Sequence, residues 1–95
     1  MSRRVAVIIK DKDRQYEALR LALGLLLERH SVSMFVLNHE IDCREAYLDN
    51  LGFLDEMDGN RYSDHPVNVE RHGFRRVSAQ GAGTLLAEHD LVIPF

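Results

Sequence analysis

Cys43 is the residue of this 95-residue chain whose side chain has the strongest claim to chemistry. It is the single cysteine, so an internal disulfide is impossible. It follows a predicted strand and precedes a predicted helix, whose free backbone amides would favour a thiolate. The charge of Arg44 would assist ionisation, whereas Glu40 and Asp42 would oppose it. Two interpretations stay open: a catalytic, nucleophilic thiol, or a small, half-buried residue without chemistry.

A second candidate site lies where the first strand and a late loop reach the same edge of the predicted sheet. Lys10 and Lys12 follow the first strand, and Gly81, Gly83 and Thr84 open a predicted helix whose amides can hold an anion. Open α/β sheets bind ligands at this edge, so these five residues predict a site for a small anion. The alternative is a flexible turn without a ligand. No cofactor is predicted, because the segment has neither the glycine spacing of a dinucleotide fingerprint nor the lysine of a P-loop.

The polar residues around Cys43 could also be interpreted as ligands of a metal ion. His39, Glu40, Asp42 and Cys43 are all possible ligands, but their spacing matches no zinc signature. A polar loop is the better interpretation, and no metal site is predicted. The remaining histidines fall at predicted helix ends or in loops, where structural roles explain them.

These candidates are positioned by one strand–helix–strand unit that covers Arg3 to Asn38. Val5–Ile9 is an unbroken apolar run, as expected of a central parallel strand covered on both faces. A helix is predicted from Asp13, its N-cap, to His30, and a second strand over Val32–Leu37. The length is that of a crossover unit.

The rest of the chain repeats this alternation less clearly. The sequence next predicts a helix over Arg44–Asp58 ended by Gly59 and a strand over Asn60–Asp64. A helical turn over Asn68–His72 ended by Gly73 and a strand over Phe74–Ser78 follow. The last predicted elements are a turn over Gln80–Gly83, a helix capped by Thr84 that runs to Glu88 or His89, and a buried strand over Leu91–Ile93. Five strands with helices between them predict a single domain, residues 1–95, of three-layer α/β/α class with a mainly parallel sheet.

Composition restricts the class of partner. The chain has 12 Lys and Arg against 15 Asp and Glu, a net charge of −3, which argues against nucleic-acid and anionic-membrane surfaces. No secretory or membrane-spanning segment is visible, so a cytoplasmic location is expected. The first helix carries more apolar surface than one sheet face requires, which predicts a homo-oligomer.

Two stretches resemble the DsrE/DsrF-like family, which includes small subunits of sulfur-relay complexes. The first is the apolar strand followed by the leucine-rich helix Ala18–Leu26 and the strand Val32–Leu37; the second is the terminal Leu85–Phe95. Together they cover about half the chain. The resemblance implies a five-stranded parallel sheet in the order 4-3-2-1-5, with 2-1-3-4-5 as the alternative common to doubly wound sheets.

The same resemblance implies an oligomer and, in active members, a cysteine that carries sulfur as a persulfide. Those members have their cysteine after the third strand, whereas Tyr62–His72 has none here and Cys43 follows the second strand. The expected function is intracellular sulfur relay with a protein partner, and Cys43, as the single cysteine, is the only possible sulfur carrier. The alternative is an oligomeric binding or scaffolding subunit that keeps the fold without the chemistry. A flavodoxin-like or receiver domain is a third possibility, but no acidic cluster follows the first strand and the chain is short for a flavin site.

Overall fold

Five parallel strands form one sheet in the computed structural model of this protein, which describes residues 2–42 and 44–95. The strands are β1 (Arg4–Ile9), β2 (Ser31–Val36), β3 (Asn60–Ser63), β4 (Arg75–Arg76) and β5 (Leu91–Pro94). Their order across the sheet is β4-β3-β2-β1-β5, and every neighbouring pair is parallel. This is the order that the family resemblance implies, and it differs from the 2-1-3-4-5 alternative.

Four α-helices cover the sheet. They are α1 (Gln15–Leu27), α2 (Glu45–Glu56), α3 (Pro66–His72) and α4 (Ala79–Leu86), and a 3₁₀ turn over Lys12–Arg14 precedes α1. The chain moves from β1 to β4 in one direction and then returns across the sheet to β5. Because such crossovers are right-handed, the returning helix α4 lies on the opposite face from the earlier helices. The predicted three-layer α/β class is confirmed.

The core is divided by the sheet into two parts. On one face, alternate residues of β1 and β2 such as Val7 and Met34 pack with α1, α2 and Val69 of α3. On the other, Ala6, Ile8 and Phe35 pack with Ala82 of α4. β1 is buried from Val5 to Ile9, as its apolar run predicts, because it lies between β2 and β5 and under helices on both faces.

The prediction that Leu91–Ile93 is buried is wrong. Among the described residues β5 pairs with β1 alone and forms an edge of the sheet, so Leu91 and Val92 are 44% and 40% exposed. Ile93 is half-buried against the α1 side of the core. Pro94 lies in this edge strand, where the missing amide is tolerated.

The predicted start of the last helix is also wrong. Ser78 is the N-cap of α4, and its hydroxyl accepts from the Gly81 amide at 2.9 Å. The segment predicted as a turn, Gln80–Gly83, is helical, and Thr84 lies inside the helix. Burial of Ala82 against the sheet outweighs the weak helix propensity of the two glycines.

Smaller corrections concern the ends of elements. Asp11, not Asp13, caps the first helical segment, because its carboxylate accepts from the Asp13 amide at 3.0 Å and begins the 3₁₀ turn. Gly73 ends α3 in the left-handed conformation at φ 69°, which confirms that stop signal.

Candidate functional site

The loop between β2 and α2 carries the main candidate residue. Cys43 itself lies outside the described residues, so the site is built from its neighbours in the chain. Ile41 is buried and Asp42 is half-buried, while Arg44 is exposed and caps α2. An ion pair joins Arg44 Nε to Asp42 Oδ2 at 3.3 Å.

A fully buried asparagine of α3 holds the first part of this loop. Asn68 Oδ1 accepts from the Ile41 amide at 3.0 Å, and Asn68 Nδ2 donates to the His39 carbonyl at 2.9 Å. The same Nδ2 donates to Ser63 Oγ at 3.0 Å, which anchors the asparagine to β3. A loop backbone that would otherwise lose its partners on burial is thereby satisfied.

A second buried amide, from α1, holds the end of the loop next to Cys43. Gln15 is 2% exposed; its Oε1 accepts from the Asp42 amide and its Nε2 donates to the Asp42 carbonyl, both at 2.9 Å. Two opposed hydrogen bonds from one planar amide fix the Asp42 backbone in one orientation. The loop is therefore clamped by α1 and α3 up to the residue before Cys43.

A cleft of about 230 Å³ opens beside this clamp. The residues that line it come from the start of α1 and from both sides of Cys43 in the chain: Lys12, Asp13, Gln15, Tyr16, Asp42 and Arg44. Two cations and two carboxylates face it, so its charges balance. The cleft can receive a polar group that approaches the loop from solvent.

The structure divides the predicted anion-binding residues between two clefts. Lys12 lines the cleft beside Asp42, whereas Lys10 and Gly83 line another of about 280 Å³ under α4. Gly81 and Thr84 line neither of them. The separation arises because Lys10 projects to the α4 face of the sheet and Lys12 begins the turn into α1 on the other face.

An ion pair stiffens the start of α1 at the same edge. Arg14 Nε and Nη2 donate to the two carboxylate oxygens of Glu17, each at 3.2 Å, and the guanidinium lies 4.8 Å from the centre of the Phe95 ring. Hydrogen bonding from Arg14 lowers the pKa of Glu17, and the same contact raises the pKa of Arg14.

Gln15 and Asn68 are the site residues that the sequence analysis missed. Gln15 had a detectable signal, because helical spacing places it on one face with Ala18, Leu19 and Ala22, where a polar residue needs a partner. Asn68 had none, because its partners are 27 and 29 residues away in the sequence.

The described residues contain no group of three or more His, Cys, Asp or Glu that could hold a metal ion. Within the same part of the chain, every helix is too short or too polar to cross a bilayer. No protein-family model, curated protein or solved structure matches this chain.

Proposed function

We propose that this protein is a small cytoplasmic sulfur carrier in which Cys43 takes up and passes on a sulfur atom as a persulfide. The observation that carries the proposal is the cleft lined by both chain neighbours of Cys43, Asp42 and Arg44, and by Lys12. Such a cleft gives a donor's persulfide and an acceptor's thiol a place to approach this loop.

The transfer needs no reagent beyond donor and acceptor. The Cys43 thiolate attacks the outer sulfur of a donor persulfide, the donor's S–S bond breaks, and the donor leaves as a thiolate while Cys43 becomes the persulfide. An acceptor thiolate then attacks the outer sulfur on Cys43 and restores its thiolate. Lys12 and Arg44 line the cleft together with Asp13 and Asp42, and they are the cations with which an anionic donor or acceptor can pair there.

Two further features support this function. The strand order β4-β3-β2-β1-β5 is the order that the DsrE/DsrF-like resemblance implies. The clamp by Gln15 and Asn68 keeps the preceding loop in one conformation, which lowers the conformational entropy that docking of a partner must remove.

Intact mass spectrometry after incubation with a protein or low-molecular-weight persulfide donor tests the proposal. We expect the native protein to gain one sulfur atom, which a reductant removes, and Cys43→Ser to gain none. A native protein that stays unmodified under conditions in which the donor modifies a control thiol protein contradicts sulfur transfer.

A second candidate function is a non-catalytic, oligomeric binding or scaffolding subunit. It is favoured by large apolar side chains that the single chain leaves in solvent, which include Leu27 at 74% and Phe53 at 54% exposed. The mass measurement separates the two candidates, because a scaffolding subunit takes up no sulfur.

A further inference from the structure

The cleft under α4 is built on a row of three side chains at the carboxyl edge of the sheet. Ile8 pairs with Phe35, and Phe35 pairs with Tyr62, across β1, β2 and β3. Side chains two residues further along each strand project to the same face, which places Lys10, Leu37 and Asp64 in one row on the α4 side. All three line the cleft.

The row is charged at its ends and apolar at its centre. Neighbouring strands lie about 4.8 Å apart, so the Lys10 and Asp64 backbones are separated by about 10 Å with Leu37 between them. Ile8 below and Ala82 and Leu86 of α4 extend the apolar wall of the cleft, whose volume is about 280 Å³. This is space for one small molecule of a few carbon atoms.

Both charges are available to a ligand. Among residues 2–42 and 44–95, neither Lys10 nor Asp64 forms an ion pair. Asp64 Oδ1 accepts from the Asn38 amide at 2.8 Å, which holds this carboxylate at the rim and leaves Oδ2 for another donor. A ligand with only a negative charge would gain from Lys10 but be repelled by Asp64, so the pair favours a ligand that carries both signs.

We propose that this cleft binds a small zwitterion whose carboxylate and ammonium groups lie at opposite ends of a short aliphatic chain. The carboxylate of the ligand pairs with Lys10 and its ammonium group pairs with Asp64. Its aliphatic part packs on Leu37, Ala82 and Leu86. The site lies on the opposite face of the sheet from the α1 and α2 side and makes no use of Cys43, so it stands independently of sulfur transfer.

Three probes that each have six carbon atoms test the charge pattern: 6-aminohexanoate, hexanoate and hexylamine. Binding is followed by backbone amide NMR shifts during titration of the full chain. We expect 6-aminohexanoate to bind about tenfold more tightly than either singly charged probe, because each charge-assisted contact is worth about 1.5 kcal/mol or more. The shifts should centre on Lys10, Asn38 and Ala82. Equal affinity for all three probes, or shifts elsewhere, overturns the proposal.

Variants locate the binding site. A Cβ at Gly83 would meet no atom within 4 Å beyond its own helix backbone and chain neighbours, and Gly83 lines the cleft, so the larger side chain of Gly83→Leu should occupy the cleft and abolish binding. Gly24→Leu is the matched control, since Gly24 is also helical with open space around it but lies on α1. Lys10→Gln should weaken the binding of 6-aminohexanoate and hexanoate but not that of hexylamine. Asp64→Asn keeps an acceptor for Asn38 and should weaken 6-aminohexanoate and hexylamine only. Undiminished binding in folded Gly83→Leu contradicts the assignment.

Discussion

Asn68 shows how one buried side chain joins three parts of the chain. Its amide connects α3 to β3 through Ser63 and to the loop before Cys43 through His39 and Ile41. Each of these hydrogen bonds replaces one to water, so its net contribution to stability is small. Removing the Asn68 side chain costs more, because the buried backbone groups that it contacts would lose a partner. The buried Ile41 amide and the His39 carbonyl would both lose this partner.

We therefore expect Asn68→Ala to lower the free energy of unfolding by about 2–4 kcal/mol, measured by denaturant titration. Gln80→Ala, at an exposed position of α4, is the control and should change stability by no more than about 0.5 kcal/mol. Comparable effects of the two substitutions would show that the Asn68 contacts contribute little.

The Gly59 position tests close packing at the end of α2. A Cβ there would lie 2.7 Å from Leu54 Cγ and 3.0 Å from the Leu54 carbonyl oxygen, whereas at Gly52 it would meet nothing within 4 Å. Gly59→Ala should therefore cost about 1–3 kcal/mol through overpacking. Gly52→Ala should stabilise the protein by about 0.5–1 kcal/mol, because it replaces a glycine at an exposed position inside a helix. Thermal or denaturant unfolding of both variants gives the comparison, and a stabilising Gly59→Ala would contradict it.

At the scale of elements, the strand–helix–strand unit was predictable because its signals are local. The apolar runs of β1 and β2 and the stripe of polar residues on α1 are present in the sequence itself, and the structure confirms these elements. The exposure of β5 was not predictable from its residues. An apolar run indicates a strand, but strand order decides whether that strand has neighbours on both sides.

The start of α4 was missed for a different reason. Glycines at 81 and 83 indicate a turn when propensity is considered alone, yet the chain between β4 and β5 must cover the second face of the sheet, and Ala82 packs there.

The candidate site was predictable only in part. Lys10, Lys12 and the loop of Cys43 were placed at the correct edge, but their division between two clefts depends on which sheet face each side chain takes.

The cap of α4 offers a test at this scale. Ser78→Ala removes the acceptor of the Gly81 amide and should cost about 1 kcal/mol of stability. Thr84→Ala removes only a hydroxyl that donates at 3.3 Å to the Gln80 carbonyl within the helix, and should change stability by less than about 0.5 kcal/mol. Chemical denaturation distinguishes them, and a larger loss at Thr84 would restore the helix start that the sequence suggested.

At the scale of the whole molecule, the two edges of the sheet differ in character. β4 is two residues long and both are exposed arginines, which discourages pairing. β5 is longer, and it presents Leu91 and Val92 to solvent. An edge strand with apolar side chains is suited to pairing with a second copy of itself, so we expect self-association of this chain to use the β5 edge.

Light scattering across a concentration series should therefore give a mass above that of one chain. Val92→Lys should shift the protein towards monomer, because a charge would be placed at the paired edge. Ala87→Lys, at an exposed position after α4, should leave the mass unchanged. A monomer mass for the native protein at micromolar concentration would refute self-association.

The arginine edge has a consequence for how far such an assembly can grow. A chain with two edge strands suited to pairing would add further copies at each end and extend into a fibre. In this chain β5 is suited to pairing, whereas β4 at the other edge resists it. If two copies join through β5 about a two-fold axis, the β5 edge of each copy is paired, and both edges of the combined ten-stranded sheet are β4 strands. In such a dimer strand pairing would stop at two copies, because the short arginine strand at each end resists further pairing.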